Sequence, residues 1–164
     1  MTIQSFWEYS LLLYAQPGVA EYCVDMQDRY GVLVNLMLFC CWVGSRQMEL
    51  DKSVIKEAER SIVDFNAEVT SQIRRRRREL SRPVDGTAER YADAKRKLFE
   101  AELNAEWDEH QKLLDWLSDA VLPGPPDGGT TGKFIRANLR CYLDNCNVAR
   151  TIPSPLLDAA LKNC

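Results

Sequence analysis

Residues 6–44 read F-W-E-Y-S-L-L-L-Y-A-Q-P-G-V-A-E-Y-C-V-D-M-Q-D-R-Y-G-V-L-V-N-L-M-L-F-C-C-W-V-G. Pro17-Gly18 and Gly31 divide this block into three short helical segments. Proline suits the first turn of a helix, and glycine its C-terminal stop. Helix one is expected from about Ser5 to Ala15, with Ser5 as N-cap and Glu8 completing a capping box. Helix two turns Val19, Cys23, Met26 and Tyr30 inward. Helix three, about Val34 to Val43, is apolar nearly all round and reads as the central buried helix. The run from Val32 to Val43, broken by Asn35, is too short to span a bilayer.

The rest of the chain keeps helical spacing. Helix four starts behind Asp51 as N-cap. Val54, Ala58, Ile62, Phe65, Val69 and Ile73 form its apolar stripe, and it ends in Arg74, Arg75, Arg76, Arg77 and Arg78. Ser81 to Gly86 is a turn. Helix five, about Thr87 to Val121, carries Phe99, Leu103, Trp107, His110, Leu114, Leu117 and Val121 as its stripe. Helices four and five therefore make a long antiparallel hairpin. Pro123 to Gly132 reads as a flexible linker. Helix six presents Ile135, Asn138, Leu139, Tyr142 and Cys146, and helix seven starts at Pro155 behind Ser154. No segment alternates apolar and polar residues over a strand's length. The expectation is an all-α, single-domain helical bundle of about six or seven helices. Its parts are a three-helix block (1–44), the hairpin (51–121), the linker (122–133) and the C-terminal helices (134–164).

Composition places the 164-residue chain in the globular range, with 46% hydrophobic and 27% charged residues. A net charge of -3 means the surface as a whole is not built to hold a polyanion. The N-terminus lacks a basic n-region and Glu8 interrupts the first apolar run, so no targeting segment and no membrane span are expected. A soluble cytoplasmic protein follows, with the six cysteines reduced. Cys141 and Cys146 lack a recognisable zinc spacing, and no metal or cofactor is expected.

Two constellations stand out. Arg74 to Arg78, with Arg82 beyond, suit a helix C-terminus by offsetting its macrodipole. A helix spreads consecutive residues around its circumference, so the run forms a basic collar, with Glu89, Asp93 and Glu100 as partners on the returning helix. The same run is the candidate patch for a polyanion or partner. Gln27, Asp28 and Asn35 bracket the turn at Gly31. They read as helix caps around buried backbone groups, or, together with Tyr9 and Trp42, as a polar pocket between helices one to three. His110, the sole histidine, reads as a satisfied core residue. Nothing forms a Ser-His-Asp or Cys-His set at a nucleophile elbow. The segment from Asp127 to Lys133 fails as a phosphate loop, since Asp127 stands at the first glycine and no strand precedes it.

The N-terminal block resembles an uncharacterised proteobacterial family of small helical cytoplasmic proteins, a domain of unknown function. Its pattern is P-G-V, then C-L-x-L-Q-D-x-x-G-x-D-V-N-L-L-L-F-x-x-W-L-G. The matching positions are Trp7, Leu11, Leu13, Tyr14, Pro17, Gly18, Val19, Cys23, Gln27, Asp28, Gly31, Val34, Asn35, Leu36, Leu38, Phe39, Trp42 and Gly44. Weaker likeness continues through the arginine run, through Lys97, Glu102 and Glu106, and through Asn138, Leu139 and Tyr142. Leu33 departs from the pattern where the family carries an Asp N-cap for helix three, leaving Asn35 or Asp28 to substitute. The resemblance implies a helical, cytoplasmic, bacterial protein and no activity.

With no catalytic set visible, the leading expectation is a non-enzymatic adaptor or regulator whose partner is another protein. The alternatives are nucleic-acid or nucleoprotein binding through Arg74–Arg78, and a small-ligand binder or enzyme with a polar pocket around Asn35.

Overall fold

The computed structural model describes residues 1–80, 88–120, 122 and 129–163. Among them the chain is all helical, with no strand. The elements are α1 (Ile3–Tyr14), α2 (Val19–Tyr30), α3 (Val34–Gly44), α4 (Lys52–Phe65), a π-helical turn (Asn66–Thr70), α5 (Ser71–Glu79), α6 (Ala88–Asp119), α7 (Thr131–Asn145) and α8 (Pro155–Lys162). Ser81 to Thr87 with Arg82, Val121, the linker's 123–128 with Asp127, and Cys164 lie outside the described residues, and so do the expectations that fall on them.

The N-terminal block folds as its punctuation requires. Gly18 and Gly31 flank α2 with φ of 77° and 67°, left-handed values that only glycine adopts without strain. Every residue of α3 from Asn35 to Gly44 is buried, which makes it the centre of the molecule. α1, α2, α6 and α7 pack around it, with α7 making the most extensive contact. Asp51 caps α4, accepting from the amides of Ser53 and Val54.

The contact between α3 and α7 rests on Gly44. A Cβ there would lie 2.7 Å from both Cα and N of Ile135, and backbone cannot move aside as a side-chain tip can. Gly44→Ala is therefore expected to cost about 1–3 kcal/mol through overpacking, read as a lowered urea midpoint. Asn138 on α7, wholly buried, binds the loop after α3. Its Oδ1 accepts from the Leu50 amide at 2.8 Å, and its Nδ2 donates to the carbonyl of Met48 at 2.9 Å.

Several local expectations are corrected. Helix one is capped by Thr2, whose side chain accepts from the Ser5 amide, so Ser5 lies inside the helix and Glu8 accepts instead from Gln4. No side chain caps α3. The Leu33 amide donates to the Tyr142 hydroxyl at 2.8 Å, and neither Asn35 nor Asp28 substitutes for the missing Asp. The fourth helix is not continuous α-helix: the π turn separates α4 from α5. It and α5 pack along α6, so the hairpin's two arms lie side by side.

The face α6 buries is also rotated from the expected stripe. Phe99 is 48% exposed, while Glu102, Ala105, Glu109, His110, Leu113 and Leu117 are buried. Two glutamates sit where apolar spacing would never place them.

Candidate functional site

Those glutamates belong to a buried polar layer between α6 and its neighbours. Glu109 is fully buried. Its Oε2 accepts from Asn35 Nδ2 of α3 at 2.7 Å, and its Oε1 from Asn66 Nδ2 at 2.9 Å and from the Thr70 hydroxyl. Asn66 and Thr70 are the first and last residues of the π turn. Four residues apart, they lie on one face of the helix, and both reach one carboxylate.

One turn towards the start of α6, the layer becomes ionic. Arg74 Nε donates to Glu102 Oε1 at 2.7 Å, its Nη2 to Glu106 Oε1 at 2.9 Å, and its Nη1 to Gln27 Oε1. Arg77 Nε donates to the other oxygen of Glu102. Burial raises the Glu102 pKa, but Arg77 and Arg74 outweigh it and hold the carboxyl below its ordinary range. Glu106 goes the other way. Burial raises its pKa, and the Arg74 contact does not overcome burial together with the repulsion of Glu102 and Glu109.

His110 closes the layer against α1. A carbonyl can only accept, so Nδ1 donates to the Glu106 backbone oxygen at 2.8 Å. Nε2 is then the acceptor, and the Ser10 hydroxyl donates to it at 2.9 Å. The ring packs on Phe6, with centroids 4.0 Å apart, and edge-on to Trp7 at 5.1 Å. Burial pushes its pKa down to about 4. The unfolded chain, with the ordinary value near 6.5, binds the extra proton first. This contribution is thus complete above about pH 6.5 and is lost as pH falls towards 4, by about 3 kcal/mol in all. Urea midpoints at pH 7.5 and 4.5 should therefore differ more in the native protein than in His110→Gln.

A cavity of about 320 Å³ opens above this layer, between α1, α2, α3, α5 and α6. Its walls are mostly apolar, from Trp7, Val34, Leu38 and Leu103, and its floor holds Ser10, Asn35, Arg74, Glu102, Glu106 and His110. Leu11, Tyr14, Val24 and Phe99 line it as well, and each of them is more than a third exposed.

The two residue sets singled out in the sequence converge here, each in part. Gln27 and Asn35 line the cavity. They are not helix caps: their side chains reach across to α5 and α6. Asp28 stays outside on Arg78, 3.2 Å away. Tyr9 packs against the core instead, and Trp42 is fully buried between Phe6, Phe39 and the Arg46 guanidinium, 4.0 Å above its ring. Arg74, Arg77 and Arg78 line the cavity. Arg75 and Arg76 lie on the outside near Glu79, and Arg82 is outside the described residues. Of the expected partners of the arginine run, Asp93 and Glu100 pair instead with Arg96, and the Glu89 side chain lies outside what is described; Glu102 and Glu106 meet the arginines. No local signal in the sequence ties Ser10 to a histidine 100 positions on.

The five described cysteines are free, and Cys23, Cys40 and Cys41 are buried. No group of three or more His, Cys, Asp or Glu side chains among the described residues is placed to hold a metal ion. No described helix is long and apolar enough to cross a membrane.

A family model described as "Protein of unknown function (DUF2390)" matches residues 5–113. No curated protein and no solved structure matches the chain.

Proposed function

Since the chain belongs to this family of proteins of unknown function, and every cavity-lining residue falls within the matched stretch, we propose that the cavity is its binding site. The guest is a small amphipathic molecule with an apolar body and one polar end. The observation that carries this reading is the arrangement of the mouth. Four of the large apolar side chains left exposed, Leu11, Tyr14, Val24 and Phe99, come from three helices and surround one polar-floored hole. Exposed apolar surface gathered at one place marks a contact site, and the volume is at the lower end of the range for small-molecule pockets.

Binding rather than catalysis is the role assigned. A serine hydroxyl on a neutral imidazole resembles a nucleophile and its base. A histidine held near pKa 4 is a weak base at neutral pH, however. Ser10 serves instead to satisfy a buried nitrogen.

The protein-adaptor reading keeps one specific support. Leu12, 45% exposed, extends the apolar rim outward along α1, so an apolar side chain from a partner protein is the second candidate guest. Nucleic-acid binding draws less from the geometry, because Arg74 and Arg77 turn inward onto carboxylates. Cytoplasmic placement in a bacterium belongs to the same proposal, and the free, buried thiols fit a reducing compartment.

The test is a thermal-shift screen of amphipathic metabolites against the native protein and Leu103→Trp, which fills the cavity. Small molecules that raise the melting temperature of the first and not the second support the proposal. Equal shifts in both, or none, remove it. A protein partner captured by the native form and lost in Leu103→Trp would move the reading to the adaptor.

A further inference from the structure

The chemistry of the guest's polar end can be read from the charges around Glu106. Glu102 has both oxygens engaged, one by Arg74 and one by Arg77, so it lies between two guanidinium groups. Glu109 has three neutral donors. Glu106 has one: among the described residues only Arg74 donates to it, and only to Oε1. Of the three carboxylates on this face of α6, it is the least satisfied, and it lines the cavity.

The balance of charge runs the same way. The deep part of the site holds the guanidiniums of Arg74 and Arg77 against the carboxylates of Glu102, Glu106 and Glu109. His110 is neutral above about pH 4 and adds nothing. Arg78, at the rim, is cancelled by Asp28. Among the described residues the buried layer therefore carries one carboxylate more than its cations. An excess charge in a partly dry site is costly, and it is offset by a proton, as the raised pKa of Glu106 reflects, or by a partner of opposite sign that enters with the guest. The walls do not oppose a cation, since Trp7, Tyr14 and Phe99 present aromatic surface around the opening.

We infer that the guest is an apolar amine, a protonated ammonium on an aliphatic or aromatic body, whose nitrogen docks on the second oxygen of Glu106. The inference rests on the cavity being a ligand site, as proposed above. Its pattern already exists one turn away: with an ammonium on Oε2 and Arg74 on Oε1, Glu106 acquires the two-cation arrangement of Glu102. The apolar body then lies against Trp7, Leu103 and Phe99. At about 30 Å³ per water, the cavity has room for roughly ten waters, or a guest of similar bulk.

Three probes of nearly one shape test this: 2-phenylethylammonium, 2-phenylethanol and 3-phenylpropionate. Titration calorimetry on the native protein at pH 7.5 should give an affinity for the amine at least tenfold above that for the alcohol, with the carboxylate weakest. In Glu106→Gln the amine should lose its tenfold advantage over the alcohol. Because the native protein alone ranks the three probes, the test stands even if that variant folds poorly. Binding of the alcohol or the carboxylate as tight as the amine would overturn the inference while leaving the cavity a binding site. So would an amine preference that survives Glu106→Gln. Failure of all three probes would remove both the inference and the reading it rests on.

Discussion

Glu109→Ala is expected to destabilise the protein by about 3–5 kcal/mol, seen as a large drop in the urea midpoint with little change in slope. The carboxylate is fully buried and accepts from Asn35, Asn66 and Thr70. Removing it leaves three donors without an acceptor, those of Asn35 and Thr70 buried and that of Asn66 partly so, each costing about 1–3 kcal/mol, partly offset by local relaxation and water entry. Glu109→Gln keeps the shape and one acceptor oxygen but sets an amide NH₂ against another donor. It should lie between the native protein and alanine. A loss under about 1 kcal/mol in the alanine variant would mean that the π turn and α3 do not depend on this carboxylate.

Arg74→Ala should be comparably severe, at about 3–5 kcal/mol, because it strips one partner from a largely buried ionic cluster. Its side chain is 14% exposed and makes contacts with Glu102, Glu106 and Gln27. Without it, Glu106 has no donor among the described residues and Glu102 retains only Arg77. Arg75→Ala and Arg76→Ala remove side chains that are 62% and 69% exposed, so each should stay within about 0.5 kcal/mol of native. Five chemically identical neighbours thus divide sharply in urea denaturation. Equal, small effects across the run would show the whole of it to be a solvated helix end.

The punctuation of the chain was legible because each mark acts locally. Gly18, Gly31 and Asp51 set their turns through their own backbone or side chain, and the apolar run after Val34 had to be buried. What sequence could not supply were the pairings between distant segments. Nothing near Asn35 announces Glu109, and nothing near Gln27 announces Arg74, so locally both look like caps for the turn beside them. Charge itself misled at Glu102 and Glu109. A glutamate on a long helix ordinarily faces water, and only the donors arriving from α3, the π turn and α5 make its burial tolerable. Thr2 is hidden as a cap for a simpler reason: Ser5 with Glu8 fits a capping box at the level of residue types, and both positions lie within one turn.

The π turn also explains why Arg74 faces inward where an unbroken α-helix would place Ile73. At about 100° per residue, Ile62 and Arg74 would lie about 120° apart on an unbroken α-helix, with Ile73 about 20° from Ile62. The π turn absorbs one residue, and Arg74 takes the place Ile73 would have held. This makes the segment an index of how the family's sequences should be aligned. A relative one residue shorter within Asn66–Thr70 can run as plain α-helix and still point its arginine at the cavity, so a gap there is silent. A gap or insertion between the π turn and the arginines is not. Slipping the chain one way brings Arg75 and Arg78 to the places of Arg74 and Arg77, and the cavity keeps its guanidiniums. Slipping it the other way brings Ile73 and Arg76, and the first of them is lost. A homopolymeric run, uninformative residue by residue, thereby acts as insurance against one direction of frame drift in a helix whose neighbours cannot shift with it.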